Sequence, residues 1–287
     1  MPELPEVETV RRGLAPALEG AVLARVQAFR PDLRFPLPEG FEARLEGARI
    51  ERLERRAKYL VGGLDTGESL VMHLGMSGRF TVARPGATVE PGGFYYAASP
   101  NPKHTHVRFE TAAGAVVSYN DHRRFGYMGL IPTAELDSHP WFAGLGPEPL
   151  GPAFDGAHLA RAFKGRAQNV KATLLDQRVV AGLGNIYVCE ALHRARIHPE
   201  RAAGRVGRAR LDRLVGVVRD VLTEAIETGG STLRDYAGTD GAMGAFQDRF
   251  RVYGREHEGC ETSGCRGVVR RLVQGGRSTF YCPVCQR

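Results

Sequence analysis

The first six residues, Met-Pro-Glu-Leu-Pro-Glu, contain groups that could do covalent chemistry. Removal of Met1 would leave Pro2 as the amino terminus, a secondary amine beside the carboxylates of Glu3 and Glu6. Such an amine can attack a carbonyl-like carbon and form an iminium, which is covalent catalysis. Taken alone, the hexapeptide is more typical of a plain helix cap, so the rest of the chain has to decide between the two interpretations.

A helix must hold this terminus in place, because chain ends are otherwise poorly ordered. The spacing of four apolar residues predicts a helix that begins at about Pro5 and carries Pro2 at its front: Val7, Val10, Leu14 and Leu18. The positive end of its dipole would disfavour the protonated amine, which leaves more of the free amine near neutral pH.

The composition of the chain is that of an ordinary globular protein. The 287 residues, 43% of them apolar and 25% charged, are enough for two globular domains. We find no long uncharged apolar stretch and no signal peptide, so we expect a cytoplasmic protein without a membrane segment. The chain has 39 Lys and Arg against 32 Asp and Glu, a net charge of +7 that suits a polyanionic partner.

The positive charge is concentrated in residues 160–210, which hold eleven Lys or Arg and three acids. This surplus of eight accounts for the whole excess of the chain. A solvated helical surface would have such a composition, and so would a surface that binds a polyanion.

The first half of the chain has short apolar, β-branched segments separated by turn residues. They predict an antiparallel sandwich or barrel, with strands near 21–29, 48–53, 59–64, 69–74, 106–110 and 114–119. A Pro- and Gly-rich stretch over 84–102 predicts a long loop or partly ordered hairpin, and residues 131–154 a linker. Helical patterns follow at 157–164, 169–175, 186–195 and 206–227, and then a glycine-rich loop over 229–244.

Four of the five cysteines lie in the last 28 residues, as Cys260-x4-Cys265 and Cys282-x2-Cys285. Two close pairs separated by a hairpin-length segment can converge on one tetrahedral, structural Zn²⁺. Disulfides are the alternative, although a cytoplasmic chain with few cysteines makes them a poor one. Two strands should form between the pairs, and a segment this small would take folding energy from the metal. Cys189 falls in an apolar helix pattern and is predicted to lie in the core.

Within the basic segment, Gly182 to Tyr187 form a turn that leads into a helix. Glycines there let the backbone approach a ligand, and the free amides of a helix start can bind an anion. Asn185 could cap the helix or give its side-chain amide to a phosphate.

Taken together, five motifs closely resemble the bacterial formamidopyrimidine-DNA glycosylases, also called 8-oxoguanine DNA glycosylases, which share a family with endonuclease VIII. The motifs are Pro2 to Thr9, His73 to Gly78, Asp121 to Gly126, Gly182 to Tyr187 and the terminal cysteine pairs. The resemblance covers the whole chain in order. It implies an α+β protein with an N-terminal two-sheet β-sandwich, flanking helices, a helix–two-turns–helix module and a zinc-finger β-hairpin.

The resemblance also implies domains over residues 1–132, 154–250 and 251–287, with a linker at 133–153 and a lesion-capping loop near Ser231–Phe246. The expected partner is damaged double-stranded DNA, bound by a monomer with no obligate protein partner.

The resemblance implies a reaction as well, namely base excision repair of oxidised purines by a bifunctional glycosylase and abasic-site lyase. Pro2 would attack C1′ of the damaged nucleotide and form a Schiff base, followed by β,δ-elimination. Glu3 would be the general acid/base, Glu6 would support the site, and Lys58 would lie near the target phosphates.

The remaining site residues follow from the same resemblance. Met76, Arg123 and Phe125 match the residues that fill the hole left by the extruded base. The residues matching DNA-backbone contacts are His104, Lys171, Asn185 and Arg277.

Two departures from the family pattern stand out. The first cysteine pair is wider than the usual x2, and His122 replaces the usual Pro before Arg123. Two rival functions also remain: an endonuclease VIII-like enzyme acting on oxidised pyrimidines, against which Leu4 argues, and a DNA-binding protein without catalysis. Lesion preference cannot be ranked from the sequence.

Overall fold

The computed structural model describes residues 1–84, 87–91, 101–231 and 245–287. These residues form two compact units. Unit 1 comprises Met1–Ala143 and Thr228–Ala245, and unit 2 comprises Gly144–Glu227 and Phe246–Arg287.

Unit 1 begins with helix α1, Leu4–Leu18, whose apolar face is the predicted one. Glu3 is its N-cap, and Glu3 and Glu6 form a reciprocal capping box. A short helix α2 covers Phe41–Leu45. The strands of this unit are β1 Leu23–Ala28, β2 Ile50–Arg56, β3 Tyr59–Leu64, β4 Glu68–His73, β5 Arg79–Arg84, β6 Ala87–Val89, β7 Thr105–Thr111, β8 Val116–Asn120 and β9 Tyr127–Pro132.

These strands form two antiparallel sheets, ordered β1-β7-β8-β5-β6 and β2-β3-β4-β9. One apolar cluster includes buried residues from both sheets and from α1 and α2, among them Leu14, Leu60, Phe80 and Phe109. Burial of such side chains is the main favourable contribution to folding. The mixed α+β class and the predicted two-sheet sandwich are confirmed.

Three strands lie outside the predicted segments. β5 and β6 pair across residues 85–86, and β9 joins the second sheet beside β4. β5 alternates buried and half-buried residues between polar ends, while β9 is buried except at its last residue. Residues 85–86 and 92–100 of the predicted loop lie outside the described residues, as do residues 232–244 of the predicted lesion-capping loop.

The helices of unit 2 follow the predicted pattern, with α3 at Gly156–Phe163, α4 at Val170–Leu175, α5 at Asn185–Arg194 and α6 at Arg208–Glu227. Cys189 is buried, as expected. Gly184 rather than Asn185 is the N-cap of α5. The turn before α5 is held by Gln177, whose side chain accepts from Gly182 N and donates to Leu183 O, both at 2.9 Å.

The zinc-finger hairpin pairs β10, Arg270–Gln274, with β11, Arg277–Tyr281, around Gly275 and Gly276. Both glycines have positive φ, 55° and 74°, a conformation that few side chains tolerate. Unit 2 therefore contains both the helical module and the zinc-finger hairpin, whereas the predicted domain boundaries separate these two elements at residue 251.

Candidate functional site

The amino terminus lies in a polar, buried setting in unit 1. Pro2 is buried, Glu3 is 4% exposed and Glu6 is fully buried. Burial lowers the pKa of the terminal amine on Met1; Lys58 and Arg123 act in the same direction, while Glu3 and Glu6 oppose them. The sequence predicts a lowered pKa of this amine from the helix dipole, whereas burial is the largest cause in the structure. These interactions place the amine, two carboxylates and two cations in one neighbourhood.

The Glu6 carboxylate ties this terminus to the segment after α6. Its Oε2 accepts from Glu3 N at 2.8 Å, and its Oε1 accepts from both the backbone N and the Oγ of Ser231 at 2.9 Å. A buried carboxylate is stable when such donors satisfy it. Glu6 therefore fixes the backbone beside Pro2, and Glu3 is the other carboxylate that interacts with the amine.

Lys58 lies at the second position of the two-residue turn between β2 and β3, since Arg56 pairs with Tyr59. The first turn residue, Ala57, has φ 54°, an uncommon conformation for a residue with a side chain. Arg55 steadies the turn through a 2.9 Å bond from its Nη1 to Ala57 O. As a result Lys58 is 8% exposed and turned inward rather than projecting from a strand surface.

His73, at the end of β4, is a residue that the sequence reasoning did not assign. Burial lowers its pKa to about 4, aided by the charges of Lys58 and Arg34. Its Nδ1 accepts from Gly75 N at 3.0 Å, so the proton of the neutral ring belongs on Nε2. A neutral imidazole with a fixed tautomer can donate to an anion near Lys58. The only sequence signal was its place in the His-Leu-Gly-Met-Ser-Gly motif.

The three predicted void-filling residues lie on two loops of unit 1. Met76 is 36% exposed in the loop after β4, and Phe125 is 41% exposed in the loop after β8. The Arg123 guanidinium stacks over the Phe125 ring at 4.8 Å. A cavity of about 430 Å³ adjoins Arg123 and Phe125, and its lining is completed by Leu33, Arg34 and Arg124. Large side chains exposed on glycine-bearing loops suit insertion into a stacked ligand.

His104 ends a 3-10 helix, Pro102–His104, and its carbonyl accepts from Asp121 N at 3.0 Å. Its ring lies 6.2 Å from that of His122, the residue that replaces the expected Pro. His122 is exposed, so the replacement leaves an imidazole beside Arg123 on the surface of the loop.

The predicted backbone-binding residues of unit 2 converge on the zinc-finger hairpin. Lys171 is fully buried and donates to Thr279 Oγ1 at 2.6 Å and to Ser278 O at 3.2 Å. Asn185 Nδ2 donates to the same carbonyl at 2.9 Å, and its buried Oδ1 has no hydrogen-bond partner among the described residues. Arg277 is exposed, immediately before Ser278. Lys171 and Asn185 thus hold the strand that presents Arg277.

The four terminal cysteines form a metal centre. Their sulfur atoms all lie within 4.8 Å of one another, and the Cys260–Cys285 and Cys265–Cys282 pairs are both 3.7 Å apart. A tetrahedral Zn²⁺ with four Zn–S bonds of about 2.3 Å places its sulfurs about 3.8 Å apart. A disulfide would need about 2.05 Å. The donor set therefore fits one structural zinc ion, and the wider first pair does not prevent it.

The surroundings of the metal centre connect it to α5. His193 Nε2 lies 3.4 Å from Cys260 Sγ, and burial lowers the pKa of this histidine to about 4, so the ring is neutral. The Gln286 side chain accepts from Cys282 N and donates to Ile197 O, both at 2.8 Å. Such outer contacts orient metal ligands.

Comparison with known proteins places the chain. Residues 1–128 match the formamidopyrimidine-DNA glycosylase N-terminal domain, residues 145–237 the H2TH domain of the same enzymes, and residues 260–287 a zinc finger found in FPG and IleRS. The formamidopyrimidine-DNA glycosylases of Phenylobacterium zucineum and Caulobacter sp. are 66% and 63% identical, each over the full length of both chains.

Solved structures agree with these sequence comparisons. A complex between the Lactococcus lactis Fpg and DNA containing an abasic site is 34% identical, with a TM-score of 0.85 and full coverage of both chains. The MutM (Fpg) protein of Thermus thermophilus is 40% identical, with a TM-score of 0.82, over 99% of this chain and 98% of that one.

The matched modules define a DNA-repair glycosylase with a zinc finger. The chain belongs to the formamidopyrimidine-DNA glycosylase family. The predicted family, enzyme class and single structural zinc are thereby confirmed. No helix in the described part of the chain has the length and apolar character needed to cross a bilayer.

Proposed function

We propose that this enzyme excises oxidised purines from duplex DNA and then cuts the strand, through a Schiff base on Pro2. The observation that carries the proposal is the buried terminal amine, which interacts with Glu3, Glu6, Lys58 and Arg123. A lowered pKa favours the unprotonated amine, the form that a nucleophile requires. Met1 has to be removed first, because only then is the amine that of Pro2.

In the first step the Pro2 nitrogen attacks C1′ of the damaged nucleotide. The bond from C1′ to the base breaks, and the base leaves with the bonding electrons and takes up the proton that the Pro2 nitrogen loses. Opening of the sugar ring leaves an iminium between Pro2 and C1′, while the ring oxygen becomes a hydroxyl. We assign the supply of the hydroxyl proton to Glu3, because this carboxylate follows Pro2 directly and interacts with the terminal amine.

The second stage is elimination. The iminium acidifies the C2′ proton, whose removal expels the 3′ phosphate by β-elimination, and δ-elimination then expels the 5′ phosphate. Lys58 and the neutral His73 carry donors near this chemistry, and we assign them to the phosphates that flank the lesion.

Extrusion of the damaged base leaves a gap that side chains must fill. We assign this role to Met76 and Phe125, which are exposed on adjacent loops, and assign Arg123 to the orphaned cytosine as a donor. His104, with Lys171, Asn185 and Arg277 of unit 2, completes the set of proposed DNA-backbone contacts. Lys171 and Asn185 would act mainly by holding the hairpin strand of Arg277.

The relatives support the proposed substrate class. The related enzymes are named for formamidopyrimidine, and a Lactococcus lactis Fpg mutant has been solved with DNA containing Fapy-dG. We extend the substrates of this enzyme to 8-oxoguanine opposite cytosine. Since the curated relatives are bacterial and the target is chromosomal DNA, we place the enzyme in the bacterial cytoplasm, working as a monomer.

Borohydride trapping tests the proposal. Met-free protein is incubated with a duplex containing 8-oxoguanine opposite cytosine, reduced, and the adduct is mapped by mass spectrometry. We expect a covalent adduct at Pro2, and the same protein with Met1 retained should bind the duplex without forming it. A fully active Met1-retaining protein would refute the Pro2 mechanism. Tight binding with no adduct on this duplex or on one with an oxidised pyrimidine would favour the rival function of DNA binding without catalysis.

A further inference from the structure

The Asp121 carboxylate lies at the junction of the two loops that carry Met76, Arg123 and Phe125. It is fully buried and accepts from four neutral donors. Its Oδ1 accepts from Ser77 Oγ and from Arg123 N at 3.3 Å, and its Oδ2 accepts from Gly126 N at 2.8 Å and Tyr119 OH at 3.3 Å. Ser77 follows Met76 directly, so one carboxylate contacts both loops.

The backbones of the two loops are also in close contact. A Cβ built on Gly75 would lie 2.3 Å from Phe125 C, and one built on Gly126 would lie 1.8 Å from the Tyr119 hydroxyl. Neither position has space for a side chain, so packing by side chains cannot hold the loops together there. Hydrogen bonds to Asp121 hold the two loops together instead.

The loop backbone is held in an uncommon conformation. Arg124 lies between Arg123, the proposed donor to cytosine, and Phe125, a proposed gap-filling residue, and it has φ 55°. A residue with a side chain persists in that region only when its surroundings determine it. Asp121 supplies these surroundings together with Ser77, because its carboxylate accepts from the amides of residues 123 and 126, on either side of Arg124. The amide of residue 123 also donates to Ser77 Oγ at 3.1 Å, and the Ser77 hydroxyl in turn donates to Asp121. Its backbone is anchored too, since its carbonyl accepts from His106 Nε2 at 2.8 Å.

We infer that Asp121 is a positioning residue, which joins the Met76 loop to the Arg123–Phe125 loop. The two gap-filling side chains and the cytosine donor then enter the duplex as one rigid group. The inference rests on the proposed function of these three side chains. It assigns Asp121 no contact with DNA and no part in the Pro2 chemistry.

The test is Asp121→Asn, which keeps the shape of the side chain but turns one oxygen into an NH₂ group. An NH₂ group in the place of Oδ2 faces the N–H of Gly126. In the place of Oδ1 it faces the N–H of Arg123, which also donates to Ser77 Oγ at 3.1 Å, and it meets the Ser77 hydroxyl, which then loses its acceptor. We expect excision of 8-oxoguanine opposite cytosine to slow by about ten- to a hundred-fold, as misplacement of binding groups does. Borohydride trapping on a single-stranded abasic oligonucleotide, which has no partner base and no gap to fill, should change by less than about two-fold.

Two further measurements separate positioning from general loss of structure. The ratio of excision rates opposite cytosine and opposite adenine should fall in Asp121→Asn, since the donor of Arg123 is no longer held in register. Met76→Ala should slow excision in the native background but add less than about two-fold in the Asp121→Asn background, because the two residues act as a unit. Tyr119→Phe, which removes a single 3.3 Å bond, is the matched control and should have a small effect.

Equal losses of Asp121→Asn on duplex lesion and single-stranded abasic DNA, or additive losses with Met76→Ala, would overturn the inference. A native protein that forms no adduct on the abasic oligonucleotide would instead refute the Pro2 mechanism, so the two failures can be distinguished.

Discussion

Glu6→Gln probes the anchor of the proposed catalytic terminus. The native carboxylate accepts three hydrogen bonds in a fully buried site, one from Glu3 N and two from Ser231. Glutamine can keep its oxygen toward only one of these residues, and its NH₂ group then faces the N–H of the other. A buried donor left without an acceptor costs about 1–3 kcal/mol. With a middle value of about 2 kcal/mol, the unfolding midpoint should fall by about 4–8 °C.

The same change should affect catalysis, because the freed Glu3 amide lets the Pro2 nitrogen move from its place. We expect about 30-fold slower adduct formation on an abasic duplex if the same 2 kcal/mol is lost from the reactive geometry. Thermal unfolding and single-turnover trapping measure the two effects. Glu51→Gln, the same substitution at an exposed position of β2, is the control and should change neither. Native values for both quantities in Glu6→Gln would refute the anchoring argument.

Three more predictions follow from the metal centre, the hairpin and the buried imidazole. Cys282→Ser should lower the zinc content below one ion per chain and unfold the hairpin, since a structural zinc supplies about 10 kcal/mol of folding free energy; zinc analysis with circular dichroism checks this. Arg277→Ala should reduce the slope of log K against log salt by about one, measured by titration of duplex DNA, and an unchanged slope would exclude a phosphate contact. Burial lowers the pKa of His73 to about 4 in the folded chain, so the unfolded chain, with its higher pKa, takes up the proton first as the pH falls. The free energy of unfolding should therefore decline from about pH 6.5 to about pH 4, and His73→Gln should flatten this decline in urea titrations.

The parts of the fold that the sequence predicted are those set by local pattern. α1 has the predicted apolar face, β3 has the predicted bounds, and the cysteine spacing predicted the metal centre. In each case the signal lies within a short window, as helical periodicity, an apolar run between turns or ligand pairs. β5 and β9 were missed because their strand state depends on partners far along the chain, such as β8 for β5. β6 pairs with the neighbouring β5 and lies inside the stretch predicted as a long loop or partly ordered hairpin.

The same distinction applies to the site. The resemblance assigned Met76, Arg123 and Phe125 by motif, yet nothing in a sequence shows that Asp121 is buried, since an aspartate before a turn is ordinarily exposed. Its role depends on Ser77, 44 residues earlier in the chain. The inward position of Lys58 likewise depends on the backbone of Ala57, which local propensity would not place at positive φ.

Glu6 and Asp121 point to one way in which unit 1 keeps reactive and inserting groups in place. Both are fully buried carboxylates that accept hydrogen bonds from two separate chain segments. Glu6 accepts from the amides of Glu3 and Ser231. Asp121 accepts from two amides of its own loop and from the Ser77 hydroxyl of the other loop. The segments they join contain turns and chain ends with few apolar side chains, so packing alone cannot fix them, whereas a buried hydrogen-bonded network specifies one geometry. Replacing such a carboxylate with its amide keeps the side-chain volume but puts a donor where the network needs an acceptor. We therefore expect substitutions at these two positions to reduce activity even when they keep the side-chain volume and leave no cavity in the core.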